Sequence, residues 1–410
     1  MENRHGGLAE MASGAVLSPF SRLRALLADV PAGHERPIDL TLGEPREMMP
    51  EFVAAKISEA EGLFAKYPPI KGSDGLRGAI ADWLGRRYSL AGKGKVDPVR
   101  EILPSNGSRE GLYYAAMPAV GRKGSVERPA ILICNPYYQA YYGAALATGA
   151  EPVFLNATAA NGHLPDLEEI ARDEPLLRRT AAFYLCSPAN PQGAVASPDY
   201  VARALEMARA YDFMLFFDEC YSELYNDDNA RPVGGLEVAA QTTERFANIV
   251  VFNSLSKRSN LPGLRSGFCA GDGAFLDVLC EIRNLVGPTM PGPIQHASAA
   301  AWSDERHVTH NRLAYREKFD VADDVLGDKF GYRRPAGGFF LWLDMSQFGG
   351  GIDATVTIWK RAGVRVIPGA YLAQTGRDGT NPGADYVRVA LVAGPDTIRE
   401  ALDRIVSISA

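Results

Sequence analysis

The chain has 410 residues, 46% of them hydrophobic and 22% charged, with a net charge of −6. That composition is globular, and the length exceeds what one hydrophobic core usually supports. The acidic balance recommends neither nucleic acid nor an anionic membrane as a partner. Five cysteines without C-x-x-C spacing suit free thiols in a reducing cytoplasm better than a disulfide framework or a metal site.

Residues 1 to about 16 read as a flexible tail. They lack the apolar stretch of a signal peptide, and no window offers the roughly 18 uncharged apolar residues of a membrane span. A soluble, cytoplasmic protein is expected. "SPFSRLRALLADV" predicts an amphipathic helix with Ser18 as cap and Pro19 at its first position. "IDLTLGEPRE" reads as a short strand broken by Gly43 and Pro45.

From there to about Pro291 apolar strands alternate with helical stretches. The strands are "EILPSNG", "PAILICNP", "EPVFLN", "AAFYLCSP", "FMLFFDE", "NIVVFNS" and "RSGFCAG". That alternation predicts an α/β fold with a mostly parallel sheet covered on both faces. After "PTMPGP" one long helix is expected from about His296 to Val325. The strand "GGFFLWLDM", a helix near "ATVTIWKRAG" and the strands "VRVIPG" and "YVRVALV" follow. These predict a large α/β domain over residues 47–290, and a smaller α+β domain from residues 1–46 plus 291–410.

Ligands of open parallel sheets gather beyond the carboxyl ends of the strands. Five polar turns fall there: "SNGSRE", "NPYYQAYY", "SPANPQG", "DECY" and "SLSK". Gly107, Ser108 and Arg109 open a helix, whose N–H groups suit a phosphate; the commoner use of such a turn is a plain cap. Asp218 follows the apolar run "FMLFF" and needs a cationic or N–H partner there, with Tyr221 three residues on. Asn190 sits between prolines that stiffen its turn, although an Asx-turn would use the same residue. Lys257 is flanked by Ser254 and Ser256, with Arg265 eight residues later. Two hydroxyls and a guanidinium suit a dianionic phosphate, and fixed positive charge lowers the pKa of an amine. An activated amine, a carboxylate on a neighbouring strand and a phosphate cradle together match the needs of pyridoxal 5′-phosphate.

On "SLSKRSNLPGLRSG", "NPQG", "DECY" and "YVRVAL", in that family's order and spacing, the chain resembles the class I and II aminotransferases of fold type I. The resemblance implies that Lys257 condenses with the cofactor aldehyde and later moves the substrate proton. Asp218 would pair with the pyridine nitrogen, and Tyr221 and Asn190 with the phenolic oxygen. Tyr138 would stack on the ring. Ser254, Arg265 and the N–H groups around Ser108 and Arg109 would hold the phosphate. Arg388 would grip the substrate α-carboxylate, with Gly43 beside it. Tyr67 would reach the phosphate of a neighbouring subunit, making a homodimer. Substrates would be an amino acid and a 2-oxo acid.

"NPYYQAYYGAALATGAEPVFLN", "GGFFLWLDM" and "NPGADYVRVALV" resemble the bacterial succinyldiaminopimelate aminotransferases of lysine biosynthesis. This implies transfer from N-succinyl-LL-2,6-diaminopimelate to 2-oxoglutarate. Basic residues near the site such as Lys71 and Arg258 are candidates for the distal end of that substrate, and a solvated face accounts for each at least as well. Aspartate, alanine or an aromatic amino acid are alternative donors within the family. A nucleotide-binding enzyme would need G-x-G-x-x-G or a P-loop, and neither is present. An aminotransferase-like regulator would need a DNA-binding domain ahead of the fold, where fewer than 50 residues stand.

Overall fold

The computed structural model describes residues 18–408 except 288, 377 and 378. The expected tail over residues 1–16 lies outside them. Ser18 accepts a hydrogen bond from the Ser21 N–H at 3.1 Å and Pro19 opens the helix Pro19–Leu26, as its sequence predicts. Among the described residues twelve strands follow in chain order. They are β1 (Ile38–Asp39), β2 (Ile102–Ser105), β3 (Ala130–Asn135), β4 (Glu151–Asn156), β5 (Thr180–Cys186) and β6 (Met214–Asp218). Next are β7 (Ile249–Ser254), β8 (Gly267–Gly271), β9 (Phe340–Asp344), β10 (Val364–Arg365), β11 (Ile367–Pro368) and β12 (Tyr386–Ala390).

Seven strands form one sheet in the order β2-β8-β7-β6-β5-β3-β4. Only β8 runs antiparallel to its neighbours, β2 and β7. Two short helical turns, Leu255–Arg258 and Pro262–Leu264, fill the link from β7 to β8, and the chain turns back beside β7. Strands β2, β6, β7 and β8 are buried along their whole length, which explains their unbroken apolar runs. Side chains alternate across the sheet. Phe217 faces one core with Trp83, Phe268 and Trp302, while Phe216 faces another with Tyr184 and Phe252.

A second sheet, β11-β12-β9, is antiparallel and has its own core of Leu341, Leu343, Val387, Val389, Ile398 and Leu402. The Ala390 N–H donates to the Leu40 carbonyl at 2.8 Å, which ties the segment after β1 to β12. "VRVIPG" was expected as one strand and is two, because β10 pairs with β1 while β11 pairs with β12.

The long helix expected from His296 to Val325 is also two, Gly292–Ser303 and Arg306–Leu326. Asp304 breaks it. Its backbone is extended, and its carboxylate accepts the His307 N–H at 3.2 Å, so it caps the second helix within the polar run 303–307. The helix Gly292–Ser303 sends Ala297, Ala301 and Trp302 into the core beneath the large sheet. The expected boundary after residue 290 therefore cuts off a helix that packs with the large body. We propose the small domain as the residues up to 46 plus those from Asp304 onward. No helix among the described residues is long and apolar enough to cross a membrane.

Candidate active site

The carboxyl ends of β3, β5, β6 and β7 open onto one cavity of about 660 Å³. Twelve of the residues singled out in the sequence line it: Gly43, Ser108, Arg109, Tyr138, Asn190, Asp218, Tyr221, Ser254, Ser256, Lys257, Arg265 and Arg388. Gly107 stands just behind the wall. Tyr67 does not line it and is fully exposed.

At one end is a donor cluster. Helix Ser108–Arg122 begins after Gly107 with no side chain capping its first N–H groups. Gly107 has φ +80°, and a Cβ there would lie 2.3 Å from Arg265 Nη2. Glycine is thus required both by the backbone and by the close approach of the guanidinium. Arg265 itself adopts a left-handed conformation and is anchored through Nη1 to the Pro262 carbonyl at 2.8 Å and Nη2 to the Asn106 carbonyl at 3.0 Å. Ser254 Oγ lies 2.9 Å from Ser256 Oγ and accepts the Ser256 N–H at 3.1 Å. Uncapped helix N–H groups, two hydroxyls and a fixed guanidinium make a pocket for a phosphate dianion.

Asp218 is the cavity floor and only 5% exposed. Oδ2 accepts from Tyr141 Oη at 2.6 Å and Oδ1 from the Cys220 N–H at 3.1 Å. Burial raises its pKa, and these neutral donors oppose the rise. Among the described residues no cation pairs with it. A buried carboxylate held only by neutral donors fits a cationic N–H from a ligand.

Lys257 follows β7 on the short helix Leu255–Arg258. Its Nζ donates to the Gly43 carbonyl and lies 5.2 Å from the centroid of the Phe339 ring. Its pKa is lowered to about 8, chiefly by desolvation, with Arg388 and Arg109 adding to the fall against the opposing Cys220 and Glu44. The sequence reading credited Arg265 with that effect. The structure assigns it first to burial, because Arg265 turns to the phosphate end.

Arg388 projects from β12 and is 5% exposed. Nη2 donates to the Thr41 carbonyl at 2.7 Å, Nη1 donates to Asn190 Oδ1 at 3.3 Å, and Cζ lies 4.4 Å from the centroid of the Phe340 ring. Its Nε is buried without a partner. Among the described residues no carboxylate pairs with Arg388, and a desolvated guanidinium with an idle N–H is a ready anion receptor. Gly43 lies against the same ring, since a Cβ on it would sit 2.5 Å from Phe340 Cζ. Tyr221 is buried edge-on to Phe339 at 5.4 Å. Tyr138 accepts from Arg109 Nε at 2.5 Å.

Sequence reasoning missed several residues. Tyr141 lies three positions after Tyr138 in "NPYYQAYY", one helical turn on, and that spacing was its only signal. Cys186 and Cys220 also line the cavity, but burial pushes both thiols well up, which makes them poor nucleophiles. Pro19, Phe20 and Glu44 line the cavity as well.

The donor set fits pyridoxal 5′-phosphate: a phosphate cradle at one end, a buried carboxylate at the other and a part-neutral amine between them. The family model described as "Aminotransferase class I and II" matches residues 35–405. An LL-diaminopimelate aminotransferase of Desulforudis audaxviator is 30% identical, with 94% of each chain covered. The 4-dedimethylamino-4-oxo-anhydrotetracycline transaminase OxyQ of Streptomyces rimosus is 32% identical over 90% of this chain and 92% of its own. Among solved structures, an aminotransferase from Neisseria meningitidis superposes with a TM-score of 0.90 at 38% identity, covering 96% of this chain and 98% of that one. Aminotransferase AspB of Helicobacter pylori gives 0.85 at 31% identity, with 96% and 98% covered. The chain belongs to the class I and II aminotransferases, which use pyridoxal 5′-phosphate to exchange the amino group between an amino acid and a 2-oxo acid.

Proposed function

We propose that the amino donor is N-succinyl-LL-2,6-diaminopimelate and the acceptor 2-oxoglutarate. The products would be N-succinyl-2-amino-6-oxopimelate and glutamate, a step of lysine and diaminopimelate biosynthesis. The observation that carries the transaminase site is the buried, carboxylate-free Arg388 facing the same cavity as Lys257 and Asp218. The diaminopimelate skeleton is supported by the relatives, several of which are named LL-diaminopimelate aminotransferases. Those names favour a second reading, in which the free LL-diaminopimelate is the donor.

In the proposed mechanism Arg388 holds the α-carboxylate in a planar fork, and Gly43 leaves room beside it. The bound cofactor supplies an aldehyde carbon and an electron-withdrawing ring. Asp218 would keep a proton on the ring nitrogen, Tyr221 and Asn190 would donate to the phenolic oxygen, and Tyr138 would lie over the ring. Ser254, Ser256, Arg265 and the N–H groups of Gly107, Ser108 and Arg109 would hold the phosphate. Lys257 would take the α-proton of the bound substrate at Nζ and return it. Burial suits it to that task, because a pKa near 8 leaves a usable neutral fraction at neutral pH.

We also propose a homodimer in which Tyr67 reaches the partner's phosphate site. Leu63, Phe64 and Tyr67 form an exposed apolar run, and Leu285 is exposed as well. Sedimentation equilibrium tests this, and a monomer at micromolar concentration would refute it.

The substrate is tested by a donor screen with 2-oxoglutarate: N-succinyl-LL-2,6-diaminopimelate, LL-diaminopimelate, aspartate, alanine and aromatic amino acids. The succinylated donor should give the highest kcat/KM. A tenfold preference for LL-diaminopimelate establishes the second reading. The same preference for aspartate or an aromatic donor, about 1.4 kcal/mol of transition-state binding, overturns both.

A further inference from the structure

The two basic residues expected at the distal end of the substrate are engaged elsewhere. Lys71 Nζ pairs with Asp277 at 3.3 Å. Arg258 is 1% exposed, packs against Trp83 and Trp302, and donates to Glu305 Oε1 at 2.7 Å. Arg109 spends its Nε on Tyr138. A different guanidinium, that of Arg22, stands beside residues that line the cavity, without lining it itself.

Arg22 lies on helix Pro19–Leu26, one turn after Pro19 and on the same face. Pro19 and Phe20 line the cavity. Arg22 is half-buried, with Cζ 3.9 Å from the centroid of the Tyr371 ring, beside the lining residue Leu372. Its charge also reaches the phenol of Tyr137 in the cavity wall, where it opposes the rise in pKa that burial causes. Among the described residues no carboxylate pairs with Arg22. Stacking on a ring holds the planar fork in place and leaves its N–H groups free. A half-desolvated cation so held lacks only an anion.

We propose that Arg22 binds the distal carboxylate of a long dicarboxylic amino donor, so that the substrate is held at one end by Arg388 and at the other by Arg22. This rests on the reading of Arg388 as the α-carboxylate receptor. The ligand class is α-amino acids whose side chain ends in an anion several atoms from the reacting carbon. Free LL-diaminopimelate carries an ammonium beside its distal carboxylate, whereas the N-succinyl form carries only negative charge there. Arg22 therefore selects for the acylated donor.

The test uses the holoenzyme and linear dicarboxylates from glutarate to suberate, with pentanoate as the monocarboxylate, and reads dissociation constants by calorimetry. The wild type should bind the longer dicarboxylates more tightly than pentanoate. Arg22→Met keeps the apolar stem without the charge and should lose that advantage, roughly tenfold for one charge-assisted contact, with pentanoate changed less than about threefold. Arg22→Lys should restore part of it. Arg22→Gln serves if Arg22→Met does not fold. An unchanged length preference, or an equal loss for pentanoate, overturns the proposal. The underlying reading has its own arm, because Arg388→Lys should weaken mono- and dicarboxylates alike. If pentanoate binding ignores Arg388, that reading fails whatever Arg22 does.

Discussion

Tyr141 Oη donates to Asp218 Oδ2 at 2.6 Å, while its ring stacks on Tyr184 at 4.6 Å and an interplanar angle of 13°. The phenol is thus fixed by packing before it meets the carboxylate. It favours the ionised form of an aspartate whose burial works the other way. Tyr141→Phe keeps the stack and deletes only the hydroxyl. It should lower kcat/KM by about tenfold, the scale of one hydrogen bond to a charged group. Steady-state kinetics with the preferred donor would show it, and a rate within twofold of wild type would remove Tyr141 from the site's machinery.

Asp218→Asn should cost more. Two unit charges about 4 Å apart interact by about 4 kcal/mol at an effective dielectric of about 20, which is enough to hold a ring nitrogen protonated at neutral pH. Converted to a rate, that is about a thousandfold. Cofactor content, measured after dialysis, should survive because the phosphate cradle is untouched. A near-normal rate in the Asn variant would contradict the ion pair.

Lys257→Ala should retain cofactor and lose at least a hundredfold in turnover, the lower range for a missing general base. The free protein adds a pH signature. The folded-state pKa of Lys257 is about 8 against a usual value of 10.5. Between those values the unfolded chain holds a proton that the folded chain has released. Stability therefore rises with pH across that window, and below about 8 the buried ammonium destabilises by a constant amount. Urea midpoints of the cofactor-free protein and of Lys257→Met should differ most near pH 7 and converge toward pH 10. A constant difference would mean that the amine is not desolvated.

The turns that build the site were legible because each carries a local signature. Serines around Lys257, prolines around Asn190 and a glycine before Ser108 mark special backbone at strand ends. The partners of those turns were not legible. Nothing local says that Tyr141 reaches Asp218, or that Arg22 stacks on Tyr371, since each contact joins segments far apart in the chain. The helix break is a different case, because its signal was local: the polar run Ser303 to His307 interrupts the apolar spacing, and Asp304 caps the second helix through His307. Charge proved the least local property. The pKa of Lys257 follows burial between two sheets, which no window of sequence contains.

Gly107→Ala tests the phosphate end. The position has φ +80°, and the added Cβ would lie 2.3 Å from Arg265 Nη2. Backbone strain there costs about 1–3 kcal/mol, so the fold should survive with a lowered midpoint. The guanidinium must move, however, and the cradle opens. Cofactor affinity should fall by about tenfold or more, read by titrating the cofactor-free variant. Unchanged affinity would place the phosphate away from Arg265.

Arg388→Lys separates charge from geometry. Lysine keeps the positive charge but loses the fork that reaches the Thr41 carbonyl at 2.7 Å and Asn190 Oδ1 at 3.3 Å together. It also removes the idle Nε that is free for a ligand oxygen. A bidentate carboxylate contact becomes a single one. The loss of one charge-assisted hydrogen bond is worth about 1.5–3 kcal/mol, or roughly ten- to a hundredfold in kcat/KM. On the proposed reading both substrates use this α-carboxylate site in turn, so the amino donor and the 2-oxo acid should suffer alike. Half-reactions followed separately by absorbance resolve the two. If only one of them slowed, Arg388 would serve that substrate's side chain, and the common carboxylate site would have to lie elsewhere in the cavity.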